Sequence, residues 1–408
     1  FRIFNTTNAI FTLITLMIFG IVIYFSANWI SKALFRSEIS PKLLQLSYIY
    51  GCLNYFIQSI LHLLSAQLKS FTFAFISICK IVLDISLSFY FIYSLSLTYM
   101  ARVNAILISQ IVILVCAFFT VKHLYTNNFS FVSLKESLLY SYPNLLGSVI
   151  SLGYQSFDKV MIINYRDMSS LGNYNIGEKF ASVFVLTTES INRVFTPYFQ
   201  DNAHDNSSVS KHDIVRTFYD LSGTYLLGAF AIICFSEELI KLLTTPEFYP
   251  SIFIAPIFVF YYLFGAILGM LSINQIMYAK KLIFQIPVSI VSITINISLN
   301  ILLIPQYGAV GAVISTAIAA LLSDGLLLYF GQRSYFLPIN YIKLINMFIL
   351  IMLFTLPVYL LMLSDIHFFI KLLYKIILIF IFIFLLYKLS VFSSSFKQII
   401  SKIFPILS

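Results

Sequence analysis

A chain of 408 residues with 60% hydrophobic and 10% charged residues and a mean hydropathy of +0.93 is not a soluble globular protein, where roughly a quarter of residues are charged. The formal net charge of +9 does not point to nucleic acid either, because Lys and Arg are scattered between apolar blocks and form no patch interleaved with aromatics. Cys52, Cys79, Cys116 and Cys234 have no CxxC spacing and no neighbouring histidine, and they read as small apolar packing residues.

In chain order, the apolar residues fall in blocks long enough to cross a membrane, which takes about 20 residues of helix for a 30 Å hydrocarbon layer. Twelve spans are predicted, at 9–31, 43–66, 71–96, 101–121, 138–164, 171–199, 217–243, 251–278, 282–304, 308–330, 342–363 and 366–388. The first follows Arg2, Asn5 and Asn8 and lacks a small-residue cleavage motif after it, so it is read as a span and not as a signal peptide. The chain opens on Phe1 instead of Met, and a segment upstream is expected to be missing. The longest cytoplasmic connections, Val121 to Lys135 and Gln200 to Arg216, run to about 15 residues. Neither can hold a soluble catalytic module.

Successive spans alternate in direction, so the connections divide into two sets. Thirteen Lys and Arg lie on the side of both termini and 8 on the other, and the positive-inside rule places both termini in the cytoplasm. Four basic residues remain inside spans: Lys80, Lys159, Lys179 and Arg193. They are joined there by Asp84, Asp158, Glu178, Glu189 and Asp324. A charge inside a span costs several kcal/mol unless it faces water or a partner, which makes each a functional candidate.

The stretch 25–120 resembles 235–331. Phe25-Ser26 matches Phe235-Ser236, Pro41 matches Pro250, Ser88 matches Ser298, and Tyr99-Met100-Ala101 matches Tyr307-Gly308-Ala309. Repeated halves are a common construction of secondary transporters. Two spans, 138–164 and 171–199, precede the second copy only, so two further helices are expected upstream of Phe1, giving fourteen in the parent with a C-terminal hairpin added. The expected division is an N-lobe at 1–121, a cytoplasmic linker at 122–137, a C-lobe at 138–331, and a hairpin with a cytoplasmic tail at 332–408.

Within the stretch that begins at Tyr140, the sequence carries Pro143, then Ser156, Asp158 and Lys159, then Leu171, Gly172, Tyr174, Ile176, Gly177 and Lys179, and it closes on Pro197, Tyr198 and Phe199. A second stretch reads NISLNILLIPQYGAVGAVISTAIA. Both resemble the polysaccharide-transporter, or O-antigen flippase, branch of the multidrug/oligosaccharidyl-lipid/polysaccharide exporter superfamily, and the likeness covers essentially the whole chain. The resemblance implies an all-α integral membrane protein with a MATE-like two-lobe helical bundle. It also implies movement of undecaprenyl-diphosphate-linked oligosaccharide from the cytoplasmic to the periplasmic leaflet of a bacterial inner membrane by alternating access. Membrane lipids, a coupling proton or sodium ion, a polysaccharide polymerase and a chain-length regulator are the other implied partners, with no cofactor.

The turn near Met168 puts Asp158-Lys159 and Glu178-Lys179 at matching depths, about 15 Å into the bilayer at 1.5 Å per residue. Cross-helix pairs Asp158–Lys179 or Lys159–Glu178 are both possible. Alternatively, Lys159 and Lys179 hold the substrate diphosphate, with Arg193 and its polar neighbour Asn192 at the cytoplasmic entrance. Glu189–Arg193 and Lys80–Asp84 are spaced i,i+4 and could neutralise one another. Asp84 and Asp324 are the candidates for ion coupling. Pro143, Pro197, Pro256, Pro287 and Pro357 are possible pivots. Gly308, Gly311, Ala312, Ala317, Ala319 and Ala320 form a small-residue packing face. The five histidines do not cluster at metal-ligand spacing and no GxxxxGKS is present, so ATP use is not supported. The competing readings are a cation-coupled multidrug exporter of the same fold and a membrane glycan polymerase.

Overall fold

The computed structural model describes residues 2–35, 39–67, 69–94, 99–205, 207–364, 366–388 and 392, and the side chains of 65, 66, 70, 94 and 139–155 are left aside. Among the described residues every regular element is helical. The α-helices are α1 (Arg2–Phe35), α2 (Pro41–Ala66), α3 (Ser70–Ser94), α4 (Tyr99–Val121), α5 (Phe131–Tyr165), α6 (Met168–Asp205) and α7 (Ser208–Leu243). They continue as α8 (Ser251–Phe264), α9 (Met270–Tyr278), α10 (Gln285–Tyr307), α11 (Ala309–Ser334), α12 (Tyr341–Met362) and α13 (Phe368–Lys388). A π-helical turn at Gly265–Gly269 joins α8 to α9, so these two form one rod, and each of the twelve predicted spans has its rod. Among the described residues, eight rods meet the length and apolarity of a membrane crossing. The other four, α2, α5, α6 and α7, hold much of the polar and charged inventory, including Lys159, Glu178, Lys179, Arg193 and Glu237. The chain is a multi-pass membrane protein.

Residues 1–152 and 153–408 form two compact units. In the first, α2, α3 and α4 close around Ile57, Ile60, Leu64, Ile76, Ile113, Ala117 and Val121. The start of α1 is pinned to the stretch before α5, where Thr6 and Thr7 hydroxyls accept the N–H groups of Thr126 and Ser130 at 2.9 and 3.1 Å. Most of α1 is exposed apolar surface, as expected for a helix facing lipid.

In the second unit, α8 runs between α6, α7 and α11, and its aromatic and aliphatic side chains form the centre of a large core. The α10–α11 hairpin turns at Gly308 (φ 59°), a left-handed conformation that glycine adopts without cost. Close approach then requires Gly311, where a Cβ would stand 2.4 Å from the Leu303 carbonyl oxygen. Arg166, in the α5–α6 turn, donates to the carbonyls of Pro305 and Gln306 at 2.8 and 2.6 Å, so the two turns are tied together. Pro197, Pro256 and Pro357 lie inside helices, as does Pro305 in α10.

The C-terminal helix is fastened by charge. Glu237 on α7, 4% exposed, meets Lys241 at 2.8 Å, Lys371 at 3.3 Å and Lys375 at 3.0 Å, and Lys375 also meets Glu238 at 2.7 Å. Lys371 and Lys375 are counted among the eight basic residues on the side opposite the termini. The structure instead buries both in the first two turns of α13, because their helix packs on α7 where two carboxylates await them.

Candidate functional site

The α5–α6 hairpin carries most of the candidate residues. Its turn is fixed by Asp167, whose carboxylate accepts the Ser170 N–H at 2.7 Å and is held below the usual carboxylate range by that bond. The matching depths predicted from the turn are realised on one side only. Lys159 Nζ meets Glu178 Oε2 at 2.9 Å across the hairpin, and the same ammonium stands 6.0 Å from the centre of the Tyr174 ring. The other cross-helix pair, Asp158–Lys179, does not form.

Asp158 turns into the unit instead and is 4% exposed. Its Oδ1 accepts from Asn300 Nδ2 at 2.6 Å, and its Oδ2 accepts from Tyr174 Oη at 3.1 Å and Thr316 Oγ1 at 2.7 Å. Asn300 also donates to Asn296 Oδ1 at 2.9 Å, and Asn296 donates to Thr316 at 3.1 Å. All of these partners are neutral. Asn300 Oδ1 is itself buried without a hydrogen-bond partner among the described residues. A buried carboxylate held by neutral donors, with the unpartnered Asn300 Oδ1 nearby, has the chemistry that a small cation takes. Expected beside the substrate, Asp158 is closed off from the surface in this conformation.

Lys179 and Arg193 lie on the exposed face of α6, and neither has an ion pair among the described residues. With Val183, Leu186 and Ser190 they make one exposed stripe, since positions 179, 183, 186, 190 and 193 recur at the helical period. Fourteen residues of helix set the two cations about 21 Å apart along α6. The Glu189–Arg193 pair allowed by spacing is not made. Asn192 accepts from Tyr225 Oη at 3.0 Å, so it faces the unit and not the stripe.

The two ion-coupling candidates are dispersed. Asp84 accepts from Ser109 Oγ, while Lys80 donates to Asn54 Oδ1 at 2.8 Å, so the expected Lys80–Asp84 pair gives way to two separate contacts. Asp324 is half-buried on α11 with its oxygens against the π turn, 3.5 Å from where a Cβ on Gly269 would stand and 3.8 Å from one on Gly265. Asp158, Glu178, Lys159, Lys179 and Arg193 thus share the hairpin, whereas Asp84 belongs to the first unit and Asp324 to α11. The residues missed from the sequence are Asn296, Asn300 and Thr316. Two asparagines one turn apart inside an apolar span were the available signal. Among the described residues no group of three His, Cys, Asp or Glu is placed to hold a metal ion.

A family model described as polysaccharide biosynthesis protein matches residues 5–252. No curated protein sequence matches the chain significantly. Among solved structures, the chain is similar to the lipid II flippase MurJ in an inward closed conformation, with a TM-score of 0.73 at 16% identity, covering 95% of this chain and 84% of that one. It is also similar to a multidrug resistance MATE family transporter of the MOP superfamily in an inward-facing conformation, with a TM-score of 0.64 at 13% identity over 80% of each chain. An outward-facing structure of a MATE family transporter gives 0.53 at 16% identity, over 83% and 81%. The chain therefore has the fold of these membrane transporters.

Proposed function

Because the chain belongs to the polysaccharide biosynthesis protein family, we propose that it flips a lipid-linked oligosaccharide, carried on undecaprenyl diphosphate, from the cytoplasmic to the periplasmic leaflet of a bacterial inner membrane. The observation that carries this reading is the exposed stripe of α6. A diphosphate cannot cross hydrocarbon unescorted, and it needs cations that are open to it and not already neutralised. Lys179 and Arg193 meet both conditions, at two depths of one helix. The headgroup is met first by Arg193, toward the cytoplasmic end of α6, and is passed to Lys179 deeper in the span. Alternation of the two units between inward and outward access completes the transfer.

The chain's own residues also offer a way to couple the cycle to an ion gradient. We place the coupling proton or sodium ion at Asp158, with Asn296, Asn300 and Thr316 supplying neutral oxygens, in preference to Asp84 or Asp324. No P-loop is present for ATP. A polymerase and a chain-length regulator would receive the product on the outer side.

Deletion of the gene, with the lipid-linked unit assayed on each face of the inner membrane, tests the function. Loss of surface polysaccharide with accumulation of the unit on the cytoplasmic face is expected. Wild type restores export, and Lys179→Ala or Arg193→Ala at equal expression does not. Full restoration by both variants would refute the assignment of the stripe.

A further inference from the structure

The three basic residues inside the predicted spans of the hairpin, Lys159, Lys179 and Arg193, are not equivalent. Lys179 and Arg193 have no ion pair among the described residues, whereas Lys159 is bonded to Glu178 at 2.9 Å. This pair is not a buried strut, since its side chains are 37% and 29% exposed. Lys179 follows Glu178 directly, with Cα atoms about 3.8 Å apart, so its long side chain is within reach of a solute bound at the Glu178 carboxylate although the two residues leave the helix in different directions. Among the described residues, Tyr174, Tyr261 and Tyr262 lie close enough to Glu178 to feel its charge, and none of the three is a cation. The other charge beside Lys159 is Asp158, which is turned away into its own hydrogen bonds.

We propose that Glu178 is an internal competitor for the substrate anion: it occupies Lys159 while the site is empty and yields it to a diphosphate that has reached Lys179. This rests on the reading of the hairpin as a diphosphate site. A partly exposed Lys–Glu pair is weak and easily exchanged, and the released Glu178 returns to water instead of being stranded. Exchange at the Lys375–Glu238 contact, where the side chains are 0% and 14% exposed, would strand a carboxylate that has little access to water. A carboxylate bears one charge. A diphosphate diester bears two, with more acceptor oxygens, so it can outbid Glu178 for the ammonium and bridge Lys159 and Lys179. A phospholipid phosphate with a single charge gains much less by the same exchange. Glu178 is therefore a specificity-determining residue that favours a diphosphate carrier over the bulk phospholipid around it.

The test is calorimetric titration of the full chain in detergent with inorganic pyrophosphate, comparing wild type, Glu178→Gln, Glu178→Gln/Lys159→Ala and Lys179→Ala, each checked for a monodisperse gel-filtration profile. Removing the competitor should tighten pyrophosphate binding about five-fold, in keeping with the worth of such a pair. The gain should vanish in the double variant. Glu178→Asp, which keeps the charge on a shorter arm, should bind with an intermediate affinity and serves if Glu178→Gln does not fold. Unchanged or weaker binding by Glu178→Gln overturns the competitor role, as does a gain that survives Lys159→Ala. Pyrophosphate binding that is absent from wild type, or indifferent to Lys179→Ala, overturns the diphosphate reading itself.

Discussion

A carboxylate inside a membrane helix is stable only if its neighbours satisfy it, and Asp158 is satisfied by donors from three other helices. Tyr174 comes from α6, Asn300 from α10 and Thr316 from α11. Replacing Asp158 by Ala strands the Tyr174 hydroxyl and leaves Asn300 and Thr316 to their contacts with Asn296 and Ala312, and one unpaired buried donor costs about 1–3 kcal/mol. Asp158→Ala is expected to melt clearly below wild type in detergent. Asp158→Asn, which keeps the shape and an acceptor oxygen, should lose less. Equal melting of Asp158→Ala and wild type would mean that the network contributes nothing. Sequence alone could place Asp158 and Lys159 opposite Glu178 and Lys179, because all four are counted from one turn. It could not choose between the two cross-pairs, since the deciding partners lie more than a hundred residues away on α10 and α11. Local spacing misled twice. Glu189–Arg193 and Lys80–Asp84 are correctly spaced, but an i,i+4 pair is worth only about 0.2–0.5 kcal/mol, and Asn54 and Ser109 capture Lys80 and Asp84 instead.

At the scale of elements, the helices were the most legible feature, because an apolar run of membrane length has few alternatives to a helix in lipid. What extends past the apolar run was not legible. α5 begins at Phe131 and α6 runs to Asp205, both beyond the predicted spans, since polar residues at a helix end need no hydrocarbon to remain helical. The docking of α13 on α7 was likewise hidden, because Lys371 and Lys375 look like interfacial lysines until Glu237 and Glu238 are brought opposite them. Lys375 is 0% exposed and bridges both glutamates, so Lys375→Ala takes from Glu238 its ion pair among the described residues and leaves Glu237 to Lys241 and Lys371. A cost of about 3 kcal/mol is expected. Lys241, which shares Glu237 but is 46% exposed, should cost no more than about 1 kcal/mol when replaced by Ala. Thermal unfolding of the two variants side by side checks the contrast, and equal losses would show that burial does not set the value of these pairs.

For the whole molecule, the sequence pattern pointed to an all-helical membrane bundle, and the fold is similar to that of a lipid II flippase and of a MATE family transporter. The proposed cargo rests on one helix face, where the exposed Lys179 and Arg193 stand about 21 Å apart along α6. Reversal of those charges tests this most directly. The purified chain in liposomes, supplied with a fluorescent polyprenyl-diphosphate saccharide, should move the label between leaflets, as read by quenching from outside with a membrane-impermeant reductant. Lys179→Glu and Arg193→Glu, reconstituted at equal density, are predicted to stop that movement; transfer at the wild-type rate by both would contradict a diphosphate cargo carried along α6.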